Sequence, residues 1–368
     1  MAVAALAKLA LSGPVPVHAV IGANASVPID DLTLNPKIRF EPSVRQAGIL
    51  LVAGALREED RDDLRRLHDQ MPHPRATVFW RAQPDPHFEA PIVLEAADDP
   101  AEVIADTYRR LLRGDRPSER DLQPNEPPNP WRGKGDFGQG GEGMMGGTPY
   151  GRPMAMTGDD LRDGLALDPY TAEFGPFLPV FPPGLKLGIT LQGDVIQSAK
   201  VLRPPTSQNG FGGAAGALRL IARQLRILGL PGHATRLLRT AATIGRGGDA
   251  NIAGLRRFVE WSGAHSAVSR GLGEVAKTDV RARLVGWWKE AAGEGGARTS
   301  RGAIHTRLVD LLPGLEWDEA MLVINSFDPE TLIEICPVEN GEDDDGHEHH
   351  DHGGHDAHEH HHHGHGGA

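Results

Sequence analysis

Cysteine is nearly absent from this sequence, for Cys336 is the single one among 368 residues. One thiol closes no internal disulfide, holds no iron–sulfur cluster and builds no cysteine-rich zinc site, so a reducing compartment and a cytoplasmic protein are expected. Positive charge is in deficit: 38 Lys plus Arg stand against 50 Asp plus Glu, a net charge of -12. That balance excludes a binder that grips nucleic acid through a basic face, and no RNP, zinc-finger or helix-turn-helix signature offsets it. Long apolar runs are missing too. Residues 1–11 are apolar apart from Lys8, but Pro14 and Pro16 follow, and the stretch is too short to span a bilayer and lacks a typical n-region and cleavage site. No other stretch approaches the ~20 apolar residues of a spanning helix, so no transmembrane span is expected and any membrane role is peripheral.

What the sequence does have is Gly (46) and Pro (29), together about a fifth of the chain, and enough length for two domains at roughly 100–200 residues each. Residues 46–56 (QAGILLVAGAL) form an unbroken apolar run that suits a strand covered on both faces. Residues 58–70 read as an amphipathic helix on Leu64 and Leu67, residues 76–80 and 91–94 as strands, and 101–113 as a helix. Alternation at this spacing predicts a parallel α/β sheet. Residues 114–158, dense in Gly and Pro, read as a linker or extended arm. A hairpin is predicted from 185–191 and 195–201 around a Gly193-Asp194 turn. Helices are predicted over 214–228, 233–242, 252–276, 280–292 and 300–312. Beyond Pro337 the chain becomes a His/Asp-rich tail that cannot form a core.

Read together, residues 22–56 resemble the small, cluster-bearing subunit of respiratory complex I and of the energy-converting nickel–iron hydrogenases. Gly22-Ala23-Asn24-Ala25-Ser26 stands where that family has a Cys-x-x-Cys loop, Leu34-Asn35-Pro36 where it has an Asn-Pro step, and Pro42-Ser43-Val44-Arg45-Gln46-Ala47 where a Pro-Ser-x-Arg-x-Ala segment enters a buried strand. Ala23 and Ser26 occupy the two ligand positions, and Arg81-Ala82-Gln83-Pro84 stands where a Cys-bearing turn belongs. Without thiolates the chain carries no cluster by itself. Residues 175–329 resemble the large subunit of the same complexes. Gly175-Pro176-Phe177-Leu178-Pro179 is similar to its Gly-Pro-x-His-Pro loop, with Leu178 replacing the histidine implicated in quinone chemistry. Ser326-Phe327-Asp328-Pro329-Glu330 resembles its Ser-Phe-Asp-Pro-Cys or Ser-Leu-Asp-Pro segment, with Glu330 at the metal-binding cysteine. The order of the halves is that of two neighbouring subunits fused, the second one short for its family.

Among residues that invite chemistry, the tail is foremost. His347, His349, His350, His352, His355, His358, His360, His361, His362, His363 and His365 lie among acids such as Asp351, Asp356 and Glu359, a composition able to ligate nickel or zinc. Its bland reading is a solubility tail or an expression scar. The acids of TGDDLRDG (157–164) read better as a helix cap than as catalytic carboxylates. Glycines 138–147 lack the Gly-Lys-Ser/Thr or strand–Gly-x-Gly-x-x-Gly context of a phosphate loop, and the methionines nearby suit contact with a partner. Trp261, Trp287 and Trp288 at helical positions read as core. His233, His265 and His305 read as structural or exposed. No Gly-x-Ser-x-Gly elbow supports a hydrolase.

The expected fold is thus an α/β flavodoxin-like N-terminal domain (1–113), an arm (114–158), a mainly α (α+β) domain opening on a β-hairpin (159–337) and a disordered tail (338–368). The resemblance implies a cytoplasmic subunit on the inner face of the cell membrane, docked on antiporter-like integral membrane subunits, structural or coupling in role, with no iron–sulfur or nickel–iron ligation of its own. The alternatives are a nickel- or zinc-handling protein using the tail, and an oxidoreductase whose cofactors come wholly from partners.

Overall fold

The computed structural model of the protein describes residues 13–95, 98–124, 169–295 and 306–338. These belong to one compact unit ending at Val338. It opens on β1 (Val15–Ile21), followed by α1 (Ser26–Leu32), β2 (Ile38–Phe40), β3 (Ile49–Ala53), α2 (Arg61–Asp69), β4 (Ala76–Trp80), β5 (Ile92–Leu94) and α3 (Pro100–Arg113). The five strands are all parallel, in the order β2-β1-β3-β4-β5. Successive side chains of a strand point to opposite faces, and both faces here are covered. Val17, Ile49, Leu51 and Val78 pack with Ile29 and Leu32 of α1 and Ile104 and Leu111 of α3. Val20, Leu50, Val52 and Phe79 pack with Leu64 of α2, Met71 and Phe88. This double cover explains the uninterrupted apolar run of β3, which is buried along its whole length.

The first part of the expected arm, residues 114–124, is packed against this layer. Glu119 accepts from the Thr77 amide at 2.8 Å, Asp69 accepts from the Leu122 and Gln123 amides, and buried Arg75 pairs with Asp121. The carboxylates and one buried guanidinium anchor a stretch that forms neither helix nor strand. Residues 125–168, including the Gly-rich run and TGDDLRDG, lie outside the described residues.

The chain then forms β6 (Pro169–Phe174), β7 (Lys186–Gln192) and β8 (Val195–Arg203), an antiparallel sheet in which β7 and β8 make the expected hairpin. Helices α4 (Gly213–Ile227), α5 (Pro231–Gly245), α6 (Ile252–Trp261), α7 (Ala264–Ala267) and α8 (Val280–Ala291) follow. Trp287 and Trp288 are buried in their core, whereas Trp261 is 87% exposed, contrary to its reading as core. The single helix expected over 252–276 is broken, because Gly263 (φ 75°) takes the left-handed conformation that ends a helix. In 306–312 the chain makes only a short 3-10 turn, Leu308–Leu311. Two helices escaped the sequence pattern, α9 (Trp317–Ile324) and α10 (Pro329–Glu334), which pack under the hairpin with Leu187, Ile189 and Ile196.

The two halves are joined by charge as well as by apolar contact. Asp60, 1% exposed, accepts from Arg57 at 2.9 Å and pairs with Arg203 of β8. Asp63 accepts from Arg203 at 2.8 Å, and Arg57 also donates to the carbonyls of Pro204 (2.8 Å) and Gly184 (2.5 Å). No helix among the described residues is long and apolar enough to cross a membrane.

Candidate functional site

In a doubly wound sheet the chain leaves β1 to one side and returns to β3 on the other, which opens a crevice beyond the carboxyl ends of those strands. Here the loops bounding it are residues 22–25 after β1 and 54–57 after β3. They lie backbone to backbone: the Ala23 amide donates to the Ala55 carbonyl at 2.8 Å, and a Cβ on Gly54 (φ 79°) would stand 2.4 Å from the Ala23 oxygen. The crevice is plugged by a side chain from the second half. Gln208, 6% exposed, accepts from the Ser26 amide at 3.0 Å and donates to the Gly22 carbonyl at 2.9 Å. Asn24, itself at φ 59°, bonds Ser207 through its amide and accepts from the Asn209 amide.

These residues do not fit an iron–sulfur cluster. A methyl and a hydroxyl stand at Ala23 and Ser26, the loop backbones touch, and a carboxamide fills the gap between them. The one thiol, Cys336, is buried in the core under the hairpin, where desolvation pushes it up to about 12, so it is a packing group rather than a ligand.

Beside this plug lies a cavity of about 180 Å³, lined by Ser26 and Asp30 of α1, Arg219, Arg223 and Arg226 of α4, residues 179–181 and Asn325, among others. It gathers residues from two of the stretches singled out in the sequence and the residue that precedes a third. Asn325, just before Ser326, donates to the Val180 carbonyl at 2.9 Å and so ties the end of α9 to the Gly-Pro segment. Ser26 brings in the loop after β1. The other sequence candidates are not brought here. Ala23 is in the backbone bridge to Ala55, Leu178 packs on the hairpin core, Glu330 is exposed on α10, and Arg45 is exposed beyond β2. Asp328 caps α10 through the Thr331 amide (3.1 Å) and hydroxyl (2.7 Å). His233 stacks on Phe258 at 4.5 Å. His305, the His265 side chain and all eleven tail histidines lie outside the described residues.

The arginines were missed because Arg219, Arg223 and Arg226 look like the solvated stripe of an amphipathic helix. The signal was their spacing, i, i+4 and i+7, which places all three on one helical face. That face meets Asp30 and Asp31 at the end of α1. Arg219, 4% exposed, donates to Asp31 at 2.7 Å and lies 3.7 Å from Asp30 through Nη1, and Arg226 lies 3.7 Å from Asp30. Arg223 is seated over the Phe211 ring, 5.3 Å from its centroid. Burial pushes the Asp30 carboxyl up from its ordinary value, against the pull of Arg226, Arg223 and Arg219, and burial pulls Arg223 down, against Asp30. The site is a small, partly dehydrated, cation-rich chamber with no thiol or imidazole in its lining. Among known proteins, the sequence matches no family model and no curated protein.

Proposed function

We propose that this chain is a peripheral subunit of a membrane-bound complex related to NADH:quinone oxidoreductase and the energy-converting nickel–iron hydrogenases, and that it acts there as a structural or coupling element without a redox centre of its own. The observation that carries this reading is the meeting of three separate stretches. The loop after β1 resembles the small subunit, whereas residues 175–179 and 326–330 resemble the large one; Ser26 of the first and Pro179 of the second line one cavity, and Asn325, the residue preceding the third, lines it too. Segments whose resemblances belong to one architecture would be expected to lie near one another, and this proximity supports the reading. The strand order 2-1-3-4-5, that of flavodoxin-like sheets, adds to this support. The proposed absence of a redox centre rests on Ala23 and Ser26 at the cluster-ligand positions, Leu178 at the quinone-loop histidine and Glu330 at the metal-centre cysteine.

The test is purification of the chain with an antibody from detergent-solubilised native membranes, with its companions identified by mass spectrometry. Antiporter-like integral membrane subunits in fixed ratio are expected, with this chain docked on them at the inner face of the membrane. Recovery of a solitary, metal-loaded chain would overturn the reading in favour of the second one, nickel or zinc handling, which the eleven tail histidines favour.

A further inference from the structure

Two donors in the chamber between α1 and α4 lack a hydrogen bond, although Arg219 Nη1 lies 3.7 Å from the Asp30 carboxylate. Arg219 Nη1 and the Ser26 hydroxyl are buried and make no hydrogen bond, although their residues are only 4% and 5% exposed. A buried donor left without a hydrogen bond keeps the cost of its lost hydration, the more so when it is charged. Both residues line the same cavity, as do Arg223 and Arg226. Among the described residues Arg223 forms no ion pair and rests on an aromatic face instead.

We propose that this chamber binds a compact oxyanion of at least two negative charges, gripped by the Arg219, Arg223 and Arg226 guanidiniums and the Ser26 hydroxyl. Three guanidiniums face one lining carboxylate, Asp30, and Asp31 neutralises Arg219 from the more exposed side. The surplus is positive and partly buried, where a charge-assisted bond is roughly twice as strong as a neutral one. Planar guanidinium forks match carboxylate and phosphate oxygens alike, so the ligand chemistry is a tetrahedral oxyanion or a short dicarboxylate. At about 180 Å³ the chamber is smaller than the ~300–1,000 Å³ of drug-sized pockets, which excludes nucleotides and other extended anions.

The inference is independent of complex membership, because it is tested on the purified full-length chain with no partner present. Isothermal titration calorimetry with inorganic phosphate, sulfate and succinate, at constant ionic strength in chloride and at pH 8 to keep imidazoles neutral, is expected to give saturable one-to-one binding. A tenfold preference for phosphate or sulfate identifies the tetrahedral ligand, and the opposite preference identifies the dicarboxylate. Arg223→Gln should weaken binding at least tenfold and Ser26→Ala at least threefold, whereas Arg239→Gln, exposed on α5, should leave affinity within twofold. Absence of saturable binding for all three anions overturns the proposal. So does unchanged affinity in a folded Arg223→Gln or Ser26→Ala chain; the serine change removes no charge and keeps the test open should the arginine variant fail to fold.

Discussion

Arg283 is a buried cation that organises one of the family-like segments. It donates to Ser326 Oγ through Nε (3.0 Å) and Nη2 (2.8 Å), to the carbonyls of Thr278 (2.8 Å) and Gly273 (2.9 Å), and lies 4.3 Å over the Phe327 ring. Burial draws its guanidinium down to about 10, still charged at neutral pH. Arg283→Met should therefore strand two carbonyls and a hydroxyl and cost about 3 kcal/mol in chemical denaturation. Arg283→Lys, lacking the planar fork, should recover less than half of it. His18 offers a pH-dependent counterpart. Its Nδ1 donates to the Glu41 carbonyl at 3.0 Å while Nε2 is buried without a partner, and burial lowers its affinity for a second proton below the ordinary 6.5. Below pH 6.5 the unfolded chain takes a proton that the folded chain refuses. The stability contributed by neutral His18 is complete above that value and is lost as pH falls toward the lowered one. Melting temperatures at pH 7.5 and 5.5 should differ less in His18→Gln than in the parent; an equal difference would show that His18 does not contribute.

At the scale of elements, what was legible was what short-range pattern carries. The β3 run, β4 at residues 76–80, α3 and the β7–β8 hairpin with its Gly193-Asp194 turn each announce themselves by apolar spacing and turn residues. The strand β1 did not, since VPVHAVI carries Pro16 and His18, and its burial comes from its position between β2 and β3 rather than from composition. The helix α9 did not either, because AMLVI reads equally well as a strand until the hairpin packs on it. The candidate chamber was hidden for the same reason: only contact between α1 and α4 turns an arginine stripe into a site. The staple between α2 and β8 is likewise invisible in sequence, yet it is worth much. Asp60→Ala would leave Arg57 and Arg203 in a largely enclosed place without their shared carboxylate, at about 3 kcal/mol. Removing the exposed Arg256–Glu260 pair on α6 should change stability by less than about 0.5 kcal/mol. Equal losses in denaturation midpoint would overturn that ranking.

At the scale of the whole molecule, the chain joins two unlike parts: a folded unit stitched by ion pairs such as Arg57–Asp60, Arg203–Asp63 and Arg219–Asp31, and a terminal stretch whose sequence interleaves imidazoles and carboxylates. The eleven histidines of residues 347–365 are the ligands proposed for nickel or zinc. Neutral imidazole is the ligand, and metal must compete with protons at an ordinary value near 6.5. Equilibrium dialysis of the full chain against nickel or zinc at pH 7.5 should give more than one bound ion per chain. Dropping to pH 5.5 should release most of it, and truncation after Val338 should abolish it without moving the melting temperature by more than a degree or two. Metal retained by the truncated chain would place a site in the folded unit. If the truncated chain still co-purifies with integral membrane subunits, docking belongs to the folded unit and metal uptake to the tail, and the two readings of the protein describe separable parts of one chain.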